Sequence, residues 1–269
     1  MSDAPRGAGA ADLERARALI SAQRGLYGRS LEILAETGST NDDARAAAER
    51  GAPRGHVVVA DAQRAGRGAR GSVWSSPGGT DLYVSIVERL ELPPRALGVL
   101  TLAVGLGVRD ACVRVLGERG LEARVKWPND VRLGARKCAG ILVESSSIGE
   151  RLGAIVIGIG LDVNRAAWPD ELRDVATSLR EAHGAALDRG EVLVALLASV
   201  EARVDQLVTQ GPDAIVGALR QHLALVGRAV RVDAIEGVLE GLDDDGVLLV
   251  RTDDGALARV RSGTLRERP

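Results

Sequence analysis

Between Ala60 and Ser85 the chain reads ADAQRAGRGARGSVWSSPGGTDLYVS, and this stretch restricts the fold more than any other. It leaves a β-branched strand (Val57, Val58, Val59) and returns in another (Leu82, Tyr83, Val84), with glycines, arginines and an indole between them. Gly66-Arg67-Gly68-Ala69-Arg70-Gly71 has the GxGxxG spacing of a dinucleotide-binding turn, which needs a helix to begin inside the motif. The following Ser72 to Gly79, with Pro77, cannot continue a helix. The stretch is therefore a strand–loop–strand connection rather than the opening of a doubly wound fold. Such a loop can wrap an anion with main-chain N–H groups while arginines neutralise it and an aromatic ring stacks on a base.

Composition narrows the class further. The 269 residues are 45% hydrophobic but contain no Phe, so the core is aliphatic and each Trp is a candidate for a specific task. A formal net charge of −2 excludes the global basic field of a nucleic-acid binder. Cys112 and Cys138 form no CxxC and imply a reducing setting. The first residues lack an apolar signal core, and the apolar run Ala96 to Val108 is short for a membrane span. The expectation is a cytoplasmic protein with one large and one small domain, or two of medium size.

Residues 1–30 read as a partly disordered extension with a short helix from Asp12 to Gln23. Ile33 to Glu36 reads as a strand leading into Thr37-Gly38-Ser39-Thr40-Asn41 and an alanine-rich helix stopped at Gly51 and Pro53. Strand Leu82 to Val87 precedes a buried helix from about Arg95 to Leu116. Arg124 to Trp127 is a strand, Pro128-Asn129-Asp130 a turn, and Val131 to Glu144 a hairpin across Gly134-Ala135. A further strand, Ala154 to Ile159, ends in Gly160-Leu161-Asp162-Val163-Asn164. Apolar residues at helical spacing from Leu193 to Val208 and a helix from Pro212 follow. Short strands at 229–232, 238–242, 247–250 and 256–260, separated by Asp/Gly turns, suggest a small β-barrel. The run Asp243-Asp244-Asp245 reads as a solvated turn rather than a metal site.

Polar residues gather at strand ends and turns: Gln63, Arg67, Arg70, Trp74, Lys126, Asn129, Asp130, Lys137 and Asn164. Taken alone, Ser39-Thr40-Asn41 favours helix capping, with recognition of a neutral polar ligand as the alternative. Trp127, inside a strand, reads as core, whereas Trp74 divides evenly between packing and stacking. Lys137, at the start of an apolar strand, reads on its own as a snorkelling edge residue.

Glu36-Thr37-Gly38-Ser39-Thr40-Asn41, Gly66-Arg67-Gly68 through Trp74-Ser75-Ser76-Pro77, Lys126-Trp127-Pro128-Asn129-Asp130 and Lys137-Cys138-Ala139-Gly140-Ile141-Leu142 occur in that order. Together they resemble the successive signatures of biotin protein ligases, and Gly158 to Asn164 is similar to the segment that follows in that family. The KWPND and KxAGI elements are specific as a pair. The resemblance runs from about residue 31 to the C-terminus. It implies an α+β (mixed α/β) catalytic domain at 31–223, related to class II aminoacyl-tRNA synthetases, and an SH3-like domain at 224–269. It also implies a two-step reaction: biotin and Mg-ATP give biotinyl-5′-adenylate, and a lysine of a biotin carboxyl carrier domain then accepts the biotinyl group.

By the same resemblance, Ser39, Thr40, Asn41, Gln63, Arg67, Gly68, Ala69 and Lys137 bind biotin. Arg70, Trp74, Lys126, Asn129 and Asn164 contact the nucleotide, with Trp74 stacking on adenine. Lys137 is implied to clamp carboxylate and α-phosphate with help from Arg67, and Asp130 to help deprotonate the acceptor lysine. No Mg2+ ligand is assignable, since phosphate and water supply much of its coordination. Many family members read nearer to GRGRRGR where this chain has GRGARGS, so Ala69 and Ser72 replace two basic residues. Weaker retention of the adenylate is the expected consequence. Alternatives are a lipoate or octanoate ligase of the same fold, a non-catalytic biotin-binding module, and a biotin-sensing repressor. Residues 1–30 leave little room for the DNA-binding domain that last alternative needs. A monomer and a homodimer are both compatible with the sequence.

Overall fold

In a computed structural model the described residues are 11–148 and 151–268, so the first ten residues of the extension expected to be partly disordered lie outside them. A seven-stranded sheet organises the larger part of the chain. Its strands are β1 (Leu31–Thr37), β2 (Val57–Gln63), β3 (Leu82–Glu88), β4 (Ala123–Lys126), β5 (Asp130–Leu133), β6 (Arg136–Ile148) and β7 (Arg151–Leu161). Their spatial order is β1-β2-β3-β7-β6-β5-β4, with only β1 and β2 parallel. The glycine/arginine stretch therefore joins two antiparallel neighbours, β2 and β3, and contains a single 3-10 turn, Ala69–Gly71, where a nucleotide-binding α-helix would have to begin.

Alternation along the strands assigns the two faces. Val57 and Val59, and Ile155, Ile157 and Ile159, enter the main core with α3 (Leu97–Leu116) and α5 (Arg189–Gln210). Val58 and Val156 face the other way, onto Ala44 and Ala48 of α2 (Thr40–Glu49). Helices α3 and α5 cross closely because residue 107 is glycine: a methyl there would lie 2.6 Å from Val200 Cα. The stretch Pro94–Glu122 is long and apolar enough to cross a membrane, which corrects the reading of this run as too short. Most of its apolar side chains are instead buried against the sheet and α5.

The helix expected near residues 12–23 is α1 (Ala11–Ser21), and Leu13, Ala16 and Ile20 bury its apolar side. A charged device fixes it. Arg189, 1% exposed, donates two hydrogen bonds to Asp12 at 2.8 and 2.9 Å and one to Asp61 at 2.6 Å. Burying one guanidinium is tolerable because both of its edges meet carboxylates.

Beyond α4 (Leu179–His183) and α6 (Pro212–Arg220), the chain forms a second, antiparallel sheet. It comprises β8 (Ala229–Val232), β9 (Ile235–Leu242), β10 (Leu248–Thr252), β11 (Leu257–Val260) and β12 (Leu265–Glu267), in the order β11-β10-β9-β8-β12. The last strand is too short to register in the apolar pattern. Its core (Val230, Val232, Leu239, Leu248) is continuous with Leu102 and Leu106 of α3 and with Trp127, which is 3% exposed and core as expected. Asp243 Oδ1 accepts from the N–H groups of Asp245 and Val247, so the acidic run is a turn.

Candidate active site

A cavity of about 490 Å3 opens where the Gly66–Gly79 loop, the C-terminal ends of β1 and β2, and strands β6 and β7 converge. Ser39, Thr40, Asn41, Gln63, Arg67, Gly68, Ala69, Arg70, Trp74, Lys126, Asn129, Asp130 and Lys137 border it. Asn164 does not: its side-chain amide exchanges two 2.8 Å hydrogen bonds with the backbone of Leu187. Gly263, Thr264 and Leu265, just before and within β12, complete one wall, and Arg70 Nη1 donates to Thr264 Oγ1 across that gap.

One end of the cavity is a buried polar cluster. Ser39 sits at the N-cap of α2, yet its side chain makes no capping bond, which overturns the capping reading. Its carbonyl accepts the ordinary first helical bonds from the N–H groups of Asp42 and Asp43. Gln63 Oε1 accepts from Thr40 N–H at 2.9 Å, and Gln63 Nε2 donates to Ser76 Oγ at 2.9 Å. Ser85 Oγ lies 2.8 Å from Thr40 Oγ1 and 2.6 Å from Asn41 Oδ1. Because Ser39, Thr40 and Asn41 are each 4% exposed, their remaining donors and acceptors are desolvated and directed at whatever enters.

Cations form a second group on the cavity wall. Lys137 Nζ lies 2.6 Å from Asp130 Oδ1 and 5.1 Å from the centre of the Trp74 ring, while Lys126 Nζ is 4.0 Å from Asp130. Burial lowers the proton affinity of Lys126, and Asp130 pulls it back up. Lys137 is therefore oriented at the site rather than snorkelling. Arg67 spans Asp42, at 2.6 and 2.8 Å, and Glu144, at 3.3 Å. Its hydrogen bond lowers the pKa of the Asp42 carboxyl. Ser72 Oγ donates to Ala69 O at 2.9 Å, so this departure from a basic residue seals the tight turn.

The floor is made by glycines. Gly140 and Gly160 face each other across β6 and β7, and the Trp74 indole lies over both. A methyl on Gly160 would sit 2.3 Å from the ring, one on Gly140 2.8 Å from it, and one on Gly158 2.3 Å from Asn41 Oδ1. Glycine inside a strand marks close approach, a signal present in the sequence and left unused there. The indole Nε1 is buried without a hydrogen-bond partner.

Family models match the chain in two places: the Biotin/lipoate A/B protein ligase family at residues 37–162 and the Biotin protein ligase C terminal domain at 226–264. The biotin--[acetyl-CoA-carboxylase] ligase of Mycobacterium tuberculosis is 36% identical over 227 residues, covering 82% of each chain. The chain belongs to the biotin protein ligase family. A bifunctional ligase/repressor from Bacillus subtilis is 35% identical over 227 residues, which are 81% of this chain and 68% of that one. The solved biotin protein ligase from Aquifex aeolicus in complex with biotin and ATP superposes with a TM-score of 0.77 at 30% identity, over 89% of this chain and 99% of that one.

This biotin protein ligase family member has wall residues that motif reasoning missed. Arg165 donates to Asp81 at 2.8 Å and stacks 5.0 Å from the centre of Trp168, whose Nε1 donates to Glu181 at 2.7 Å. Trp168 thus borders the cavity as a second indole. Asp162 also borders it, 3% exposed; burial, reinforced by Asp81, pushes its carboxyl well above the usual carboxylate range. Asn129 donates to Ile141 O at 3.0 Å, so its amide braces the turn against β6. An unremarkable Ser in an apolar strand (Ser85) and acidic residues outside any motif (Asp81, Glu144) carry no distinctive sequence signal.

Proposed function

We propose that the chain activates biotin with ATP to biotinyl-5′-adenylate and passes the biotinyl group to a lysine of a biotin carboxyl carrier domain of the acetyl-CoA carboxylase type. The observation that carries this reading is that one cavity brings together buried donors and acceptors, oriented cations and aromatic rings. A ureido head needs the first, two reacting anions the second, and a purine the third.

In the first step a carboxylate oxygen of biotin bonds to the α-phosphorus of ATP, and the bond from that phosphorus to the bridging oxygen of pyrophosphate breaks. Two unit negative charges about 4 Å apart repel by roughly 4 kcal/mol at an effective dielectric of about 20. Lys137 is among the cations bordering the cavity, and Asp130 aims it. As charge builds on the phosphorus oxygens, Lys137 turns to them, and Arg67 exchanges its carboxylate partners for the phosphate. In the second step the acceptor amine attacks the acyl carbon and AMP leaves. The released Asp130 carboxylate takes the proton lost by the amine. Among the described residues the carboxylates bordering the cavity are those of Asp130 and Asp162, and no group of three or more His, Cys, Asp or Glu is fit for a metal ion. Mg2+ would be held largely by the ATP phosphates and water, where it would offset phosphate charge. Residues 31–223 form the catalytic unit in this reading, and 224–269 close it through Thr264.

The test is incubation of the purified chain with ATP, biotin and an apo carrier domain, read as a mass increase of one biotinyl group. Lys137→Ala should remove most of that increase. Pyrophosphate exchange that depends on lipoate and not on biotin would overturn the substrate assignment.

A further inference from the structure

Glu144 lies on β6, outside every motif that carries the family resemblance, and shares a strand face with Gly140 and Leu142, both of which border the cavity. One of its oxygens, Oε2, gathers three donors: Asn41 Nδ2 at 2.7 Å, Arg45 Nη2 at 3.1 Å and Arg67 Nη2 at 3.3 Å. The first of these has a directional consequence. An ionised carboxylate only accepts, so it is the NH2 of Asn41 that turns toward Glu144 and the Oδ1 that turns toward the Ser85 hydroxyl, 2.6 Å away. Asn41 is 4% exposed and pressed against Gly158, so water cannot substitute for either partner.

We infer that Glu144 is a positioning residue for recognition of the ureido head: its carboxylate locks the Asn41 amide in one orientation and so fixes which side offers the ligand an N–H and which a carbonyl lone pair. The inference rests on the biotin reading above. A cyclic urea presents N–H donors and a carbonyl acceptor, so a neighbour fixed with one donor and one acceptor free complements it in a single register. Rotated by half a turn, Asn41 would set its carbonyl against the carboxylate and leave the Ser85 hydroxyl facing an NH2 group. Arg45 keeps Glu144 partnered when Arg67 moves to an incoming phosphate, so the lock holds through the first chemical step. A glutamine at 144 supplies its own NH2 to either face of Asn41 and so removes the orientational preference while conserving volume.

The experiment is calorimetric titration of biotin, without ATP, into the purified full chain, Glu144→Gln, Asn41→Ala and the double variant, alongside biotin-dependent pyrophosphate exchange. Loss of a charge-assisted hydrogen bond predicts about tenfold weaker biotin binding by Glu144→Gln, with a matching rise in the KM for biotin. The kcat and the KM for ATP stay within about twofold. Because Glu144 acts through Asn41, the double variant binds no more weakly than Asn41→Ala alone. A role confined to folding would not produce that non-additivity or the split between KM and kcat. Equal biotin binding by Glu144→Gln and the unmodified chain overturns the inference, as does simple addition of the two losses. Absence of biotin binding by the unmodified chain overturns the functional reading itself.

Discussion

Replacing Gly160 by alanine tests the cavity floor with one methyl group. Gly160 has an ordinary strand conformation, so alanine adds volume without backbone strain. The added carbon would lie 2.3 Å from Cε2 and 2.5 Å from Nε1 of Trp74. Carbon contacts settle near 3.5–4.0 Å, so the indole must lift by about 1.2–1.7 Å. It has little to hold it down, since its Nε1 has no partner and its polar neighbour is Lys137 at 5.1 Å from the ring centre. If the ring stacks on adenine, its displacement forfeits up to the whole of a stacking interaction, about 1–3 kcal/mol. The KM for ATP in biotin-dependent pyrophosphate exchange should then rise roughly 5- to 150-fold. If Asn41 and Gln63 hold biotin, its binding without ATP should fall by less than the KM for ATP rises. Tryptophan fluorescence reports whether the ring has moved. A shifted emission with an unchanged KM for ATP would refute the stacking argument.

Three other outcomes follow from the same structure. Ala69 borders both the main cavity and an adjoining cleft of about 370 Å3, and Ala69→Arg should restore a cation there and slow dissociation of biotinyl-adenylate, measured by chase of labelled intermediate; an unchanged rate would count against a role for this position. Asp162 has a carboxyl whose pKa burial raises, so folding favours its protonated form. Its contribution is intact below the unfolded value near 4 and is lost as pH rises through the higher folded value, so the melting-temperature advantage of Asp162→Asn should widen from about pH 4 upward. A constant difference between the two proteins across that range would contradict it. Arg189→Met leaves Asp12 and Asp61 facing each other without their cation, which should cost about 3–5 kcal/mol in urea unfolding and free α1; a loss below about 1 kcal/mol would place the clamp at the surface in energetic terms.

Local pattern determined much of this molecule. β-branched runs, glycine and proline stops and the hairpin at Gly134 set the strands and helices nearly where they stand, because short-range sterics and hydrophobic periodicity act within a few residues. Thirteen of the fourteen candidate site residues meet at one cavity because each lies in or beside a loop at a strand or helix end. What tertiary structure alone decided concerns partners distant in the chain. The Thr40 amide at the start of α2 is met by Gln63 rather than by the Ser39 hydroxyl; Asn164 is drawn to Leu187; the Asn41 amide donates to a glutamate 103 residues away. The glycines of β6 and β7 carry no message until the sheet register places Gly140 opposite Gly160 and the loop lays Trp74 across them. Desolvation and hydrogen-bond direction depend on what surrounds an atom in space, and a one-dimensional pattern holds no record of that environment.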